Sequence, residues 1–317
     1  MPDIQTTQTG GRVAVMDLGT NTFHLLIAEN IADTFNEIFK LTEPVKLGEG
    51  GINKGMIQPA PFGRGMAAMQ KFEALIDEYG VTNVKAIATS AIRSAKNGQD
   101  FIARVKQATG IEITTINGAQ EATYIYHGIA ASGCLSGTNA LIMDIGGGSV
   151  EFIICNDDEI LWKQSFEMGA ARLMDRFHQT DPIPLASIKA MTAYLNGKLA
   201  DLFKAAIKHR PKVLIGSSGA FESFAEVIEL SKGRNFDLKT TKSYEFDTDE
   251  LLDLIEMLAK STHTKREATK GIIPVRVDMI VTASLLTIYI MQKLGIADVL
   301  MSTYSLKEGV MAEMLGI

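Results

Sequence analysis

The sequence predicts an α/β protein made of two similar lobes, on three observations. Short apolar runs of strand length alternate with segments whose apolar residues recur at helical spacing. A strand, a Gly-containing turn led by an aspartate and a second strand occur twice, around Asp17 and around Asp144. The 317 residues exceed the roughly 100–200 of an ordinary domain, which leaves room for two. With 46% hydrophobic and 21% charged residues the composition is globular, and it excludes a disordered or collagen-like chain.

In order along the chain, a polar leader precedes a strand over 11–17 that ends at Asp17. Leu18-Gly-Thr-Asn-Thr22 is then a turn, and 23–28 the next strand. Met66, Met69, Phe72, Leu75, Ile76 and Tyr79 mark a helix over 64–79, followed by a short strand at 84–89. Phe101, Ile102 and Val105 mark a further helix, and 111–116 is strand-like. Asn117-Gly then opens a helix with Glu121, Ile125 and Ile129 on one face, so Glu121 belongs near its start. The first pattern returns as strand 140–144, the turn from Ile145 to Ser149, and strand 150–154. A long periodic segment, 188–203, reads as one helix, and strand 212–216 opens into Ser217-Ser-Gly219 before another. Further helices are expected around Leu251 to Leu258, over 279–292 and at 312–315, while 233–247 reads as a surface connection or edge strand. The expected division is a first lobe over 1–126, completed by the C-terminal helix 302–317, and a second over 127–301.

Lys and Arg number 31 against 37 Asp and Glu, a net charge of -6, which argues against broad adhesion to nucleic acid or anionic membrane. It leaves room for a locally positive cleft that holds an anion. Cys134 and Cys155 provide no disulfide framework and no zinc spacing, and read as partly buried small residues. The start of the chain shows no basic segment with an apolar signal core, and the apolar stretch 279–292 contains Thr and Ser, so a soluble cytoplasmic protein is expected.

The chemistry is expected in the turns. Asp17 to Thr22 offers backbone N–H groups, the hydroxyls of Thr20 and Thr22, the Asn21 amide and one carboxylate; successive N–H donors cradle phosphate oxygens, and a carboxylate orients water on a hard divalent ion. An Asp before a Gly also serves plain turns. Gly146, Gly147 and Gly148 before Ser149 give up side-chain packing and cost backbone entropy, which either close phosphate approach or a crowded strand crossing would justify. The turn joins two strands, so it is neither a P-loop nor a dinucleotide fingerprint. Ser217 and Ser218 form a third place where donors converge. Glu121 is the candidate base toward an attacking water, and Glu151 either a metal-side carboxylate or a residue on a solvated strand face. Arg93, at the end of a strand-like segment, offers a fork of donors to phosphate. Arg172, Arg276 and Lys307 are further cations, each equally at home in an ordinary ion pair, and His24 reads as packing more than chemistry.

Asp17-Leu-Gly-Thr-Asn-Thr-Phe-His-Leu, Ala88-Thr-Ser-Ala-Ile-Arg93, Glu121-Ala-Thr-Tyr-Ile-Tyr-His-Gly and Asp144-Ile-Gly-Gly-Gly-Ser-Val-Glu stand in that order. With Met168-Gly-Ala-Ala-Arg-Leu, Gly216-Ser-Ser-Gly, Arg276-Val-Asp278 and Ser305-Leu-Lys-Glu-Gly309 they resemble the exopolyphosphatase/guanosine pentaphosphate phosphohydrolase (Ppx/GppA) family across nearly the whole chain. The resemblance implies two actin-like, ribonuclease-H-like lobes with a cleft between them, in the sugar kinase, Hsp70 and actin superfamily. It implies Glu121 as catalytic base, Asp17, Asp144 and Glu151 organising Mg²⁺ and water, and Gly19, Thr20, Asn21, Thr22, Arg93, Gly146, Gly147, Gly148, Ser149, Ser217, Ser218 and Arg276 on phosphate. The implied reaction is Mg²⁺-dependent release of terminal phosphate from inorganic polyphosphate. Hydrolysis of guanosine pentaphosphate, a non-catalytic phosphate sensor and an actin-like kinase are the alternatives, and a homodimer is compatible with the resemblance. His24, Val277 and Lys307 depart from residues common in the family, the last replacing an Arg fork with a point charge. Longer relatives carry further helical domains, so the resemblance is to the short, two-lobed form, with reduced processivity on long chains.

Overall fold

The structure, a computed structural model, describes residues 11–31 and 34–316; the leader expected at 1–10 and the last residue of the expected terminal helix lie outside them. The first lobe contains β1 (Val13–Leu18), β2 (Phe23–Ile31), β3 (Thr34–Glu43), α1 (Pro59–Glu78), β4 (Asn83–Ala88), α2 (Ser90–Ser94), α3 (Gly98–Thr109), β5 (Ile113–Thr115) and α4 (Gly118–Ser132). Its sheet runs β3-β2-β1-β4-β5. The first three strands are antiparallel neighbours, whereas β4 and β5 run parallel to β1. Because β1 is central and covered on both sides, its residues are apolar on both faces: Ala14 and Met16 join Phe23, Phe72 and Phe101, while Val13 and Val15 face Ile125 and Ile129.

The second lobe contains β6 (Ala140–Ile145), β7 (Val150–Cys155), β8 (Ile160–Phe166), α5 (Ala170–Phe177), α6 (Leu185–Lys198), α7 (Ala200–His209), β9 (Val213–Ser217), α8 (Gly219–Ser231), β10 (Ser243–Glu245), α9 (Thr248–Lys260), α10 (His263–Glu267), α11 (Met279–Leu294) and β11 (Asp298–Ser302). Its sheet, β10-β11-β9-β6-β7-β8, repeats the first lobe's plan, with β6, β7 and β8 in place of β1, β2 and β3 and an added edge strand, β10. These are the two actin-like, ribonuclease-H-like lobes. In each, the parallel strands end on the same side, and in open α/β sheets ligands bind beyond such carboxyl ends.

Two local differences from expectation have physical causes. The single helix expected over 188–203 is two, α6 and α7, which meet at Leu199; the break follows Gly197, a weak helix former, and keeps Leu195, Leu199 and Leu202 all buried. The segment carrying Arg93 is not a strand end but the one-turn helix α2 that follows β4 directly. The segment 233–247 contains an edge strand, β10, held on β11, one of the two forms expected for it.

Asn117 caps α4 through a capping box with Gln120, which places Glu121 in the helix's first turn. α4 also packs on β7 and β8, and α12 (Leu306–Leu315) returns to lie on α4 and β1. Among the described residues no helix is long and apolar enough to cross a membrane.

Candidate active site

The carboxyl ends of β1, β6 and β9 face one solvent-open cleft of about 1170 Å³ between the lobes. Of the residues singled out from sequence, the structure lines the cleft with Asp17, Gly19, Thr20, Asn21, Thr22, Glu121, Asp144, Gly146, Gly147, Gly148, Ser149, Glu151, Ser218 and Arg276. Ser217 lies behind this surface, fully buried, and its hydroxyl donates to Asp144 Oδ2. Arg93 also stands back from the cavity: Nη1 donates to Glu121 Oε2 at 2.7 Å and to the Ile116 carbonyl at 3.1 Å, and Nη2 to Glu167 at 2.7 Å.

The two Gly-containing turns touch. A Cβ on Gly147 would stand 2.2 Å from Asn21 Nδ2, and one on Gly148 would stand 2.4 Å from Ser90 Oγ and 2.6 Å from Thr20 Oγ1. Crowding between the lobes therefore requires these glycines before any ligand is considered. The carbonyls of Gly146, Gly147 and Gly148 accept from the N–H groups of Ala170, Ala171 and Gly169 at the start of α5. In the first turn, the carbonyls of Thr20 and Asn21 accept from Gly48 and Lys46 at 3.1 and 2.7 Å.

Electrostatics sets the site apart from the rest of the molecule. Burial pushes the Asp17 carboxyl up to about 7; Lys307 opposes this, and Glu121, Asp144 and Glu308 add to it. Burial likewise lifts Glu121 to about 7 against the pull of Arg93. Asp144 is raised by burial, with Ser217 and Ser305 pulling it back; Ser305 Oγ donates to its Oδ2 at 2.5 Å. Burial and then the charges of Glu121 and Asp144 hold Glu151 well above the carboxylate range, although Ser165 Oγ donates to it at 2.6 Å. Four carboxyl groups forced together out of water are costly unless cations or protons join them. Asp17 Oδ1 is buried with no hydrogen-bond partner, an acceptor awaiting one.

Positive charge enters from the far end of the chain. Lys307, at the start of α12, lines the cleft with Nζ 3.1 Å from Glu308; burial disfavours its charge, but Glu308, Glu222 and Asp17 outweigh that and raise its pKa. Arg276 donates from Nη2 to Glu222 at 2.7 Å and from Nη1 to Ser223 at 3.1 Å. His24 lines the cleft with its ring nitrogens 2.9 Å from the hydroxyls of Thr22 and Thr42, and burial, followed by Lys307, Lys40 and Arg276, drives its pKa well below 6.5. Sequence reasoning did not single out Ser90, Glu222, Glu308 or Glu167 or the role of Ser305. Their signal lies in tertiary approach, although Ser305 and Glu308 form a capping box that is readable as such.

A model of the Ppx/GppA phosphatase family matches residues 26–316. The crystal structure of an exopolyphosphatase from Cytophaga hutchinsonii is 41% identical with a TM-score of 0.94, covering 96% of this chain and 98% of that one. A guanosine-5'-triphosphate,3'-diphosphate pyrophosphatase of Pseudoalteromonas atlantica is 30% identical over 219 residues, 68% of this chain and 42% of that protein, so the match spans less than half of the relative's length. The Aquifex aeolicus PPX-GPPA enzyme shares the fold, with a TM-score of 0.79 at 23% identity over 96% of this chain and 99% of that one. The agreement runs through both lobes and the cleft between them, and the chain belongs to the Ppx/GppA phosphatase family.

Proposed function

We propose that this chain is an exopolyphosphatase that hydrolyses the terminal phosphoanhydride bond of inorganic polyphosphate and releases orthophosphate. The observation that carries the reading is Glu121: a buried carboxylate on the wall of the cleft that both Gly-containing turns line, with its pKa lifted to about 7, where a general base works best. Water attacks the terminal phosphorus, its proton passes to Glu121, the bridging P–O bond breaks, and the shortened chain leaves with the negative charge. Arg276 and Lys307 face that charge, and the turn residues Gly19 to Thr22 and Gly146 to Ser149 hold the phosphoryl oxygens.

The donor set fits Mg²⁺. Asp17 has an orphaned buried oxygen, and Asp144 and Glu151 share its cavity. Among the described residues no three His, Cys, Asp or Glu side chains stand close enough to hold a metal by themselves, so an ion here would need water or substrate oxygens as further ligands. When bound, Mg²⁺ offsets charge on the phosphate oxygens. Asp17, Asp144 and Glu151 would hold it.

The similarity to the Cytophaga hutchinsonii exopolyphosphatase over nearly the full length of both chains favours polyphosphate. The name of the Pseudoalteromonas atlantica relative favours a second reading, guanosine pentaphosphate, which competing-substrate kinetics would rank. The test is orthophosphate release from medium-chain polyphosphate with Mg²⁺. Wild type is expected to turn over, and a folded Glu121→Gln variant to lose about 10²–10⁴-fold in rate. No release by wild type from polyphosphate of several lengths would sink the proposal.

A further inference from the structure

Glu167 lies between β8 and α5 at the edge of the cleft. Its carboxylate accepts from Ser90 Oγ at 2.5 Å, from Arg93 Nη2 at 2.7 Å and from Arg172 Nη2 at 2.9 Å. Two guanidinium groups and a hydroxyl converging on one anion is the donor set that binds a phosphate oxyanion. The hold is one-sided. Arg93 is fixed independently by Glu121 and the Ile116 carbonyl, and Arg172 by the carbonyls of Gly148 (2.8 Å) and Ile52 (2.7 Å) and by Ser94 Oγ (3.0 Å). The arginine side chains are 18% and 13% exposed, whereas that of Glu167 is 44% exposed, so water already reaches its side chain. The cluster abuts the triple-glycine turn through Gly148, whose carbonyl Arg172 holds.

We propose that Ser90, Arg93 and Arg172 form a phosphate-oxyanion subsite that Glu167 occupies as an internal competitor and vacates when phosphate binds. The inference rests on the reading of the cleft as a phosphate-handling site. Affinity for phosphate is lowered by the fraction of time the carboxylate holds the donors, and the incoming oxyanion restores the bridge between lobes that Glu167 gives up.

The test titrates the full chain with inorganic phosphate by calorimetry. Glu167→Gln keeps the shape and removes the charge, and is expected to bind orthophosphate about tenfold more tightly than wild type. Adding Arg172→Gln to that variant is expected to abolish the gain. Glu167→Asp, too short to reach all three donors, is expected to tighten binding by about threefold, and keeps the proposal testable where the Gln variant does not fold. Equal or weaker phosphate affinity in a folded Glu167 variant, no phosphate binding by any form, or a gain that survives loss of Arg172 would each overturn it. Steady-state kinetics separates the sources of phosphate. A lower KM for polyphosphate assigns the subsite to substrate; a lower inhibition constant for orthophosphate with KM unchanged assigns it to product. Calorimetry needs no turnover, so tighter binding without hydrolysis defeats the exopolyphosphatase reading alone, and hydrolysis with unchanged phosphate affinity defeats this one alone.

Discussion

At Glu121 two opposed forces are nearly balanced: burial lifts the carboxyl to about 7, and Arg93, 2.7 Å away, restrains it. A base works in its deprotonated form, so kcat/KM is expected to rise with pH through about 7. Replacing Arg93 by Met removes the restraining charge, and the rising limb is expected to move to higher pH; a limb that stays in place would show that Arg93 does not act on the base. Ser218, at φ 72° and ψ 175°, lies in a region that is essentially glycine's own and costs of order 1–3 kcal/mol. Ser218→Gly is therefore expected to raise the melting temperature while weakening phosphate affinity, as thermal melts and phosphate titration would show. Asp17, Glu121, Asp144 and Glu151 were legible in the sequence because each stands beside a Gly-rich turn or a helix start, whereas the fifth acidic residue of the cleft, Glu222, was not. Lys307 was legible only as a cation, since its burial against Asp17 depends on where α12 lands. Glu167 carried no signal at all, because its partners Ser90 and Arg93 belong to the other lobe.

The facing turns are the elements on which the site's shape depends, and their contact is tight enough to test with one methyl group. Gly148→Ala would place a carbon 2.4 Å from Ser90 Oγ and 2.6 Å from Thr20 Oγ1, so those side chains or the turn itself must shift. A loss of about 1–3 kcal/mol in denaturant unfolding is expected, together with at least tenfold in turnover. Gly137→Ala, which meets nothing within 4 Å, serves as the control and is expected to stay within about 0.5 kcal/mol of wild type. Elements with strong periodicity or clear caps, such as β1, β6, α4 and α9, were legible in the sequence. The mixed edge strands β3 and β8 were not, because an edge strand half open to water lacks the continuous apolar run of a central one. The long helix expected over 188–203 failed at Leu199 because apolar periodicity continues across the break that follows Gly197, so spacing alone hides it.

For the whole molecule, the cleft makes stability depend on pH and metal. Asp17 has a folded pKa of about 7 against an ordinary 3.8, so the protonated carboxyl favours the fold; that stabilisation is complete below about pH 4 and is lost as pH rises through about 7. Asp144 and Glu151 shift in the same direction. Chelated protein is expected to melt at a lower temperature at pH 8 than at pH 5, Mg²⁺ to recover most of the difference, and Asp17→Asn to flatten the pH dependence; equal melting temperatures with and without Mg²⁺ at pH 8 would count against the assigned ion site. Residues of both lobes line one cleft, so phosphate binding is expected to reduce the radius of gyration in small-angle scattering, and an unchanged value at verified saturation would argue against closure. The return of α12 to the first lobe has a consequence during synthesis. Ser305, which holds Asp144, and Lys307, which faces Asp17, leave the ribosome long after the strands they complete, so the first sheet has α1, α3 and α4 on it but lacks the cover of α12 while the entire second lobe is translated. A nascent chain with both glycine turns but without α12 has neither the lysine nor the serine that tunes the carboxyl groups, and is expected to gain phosphate affinity only once α12 docks.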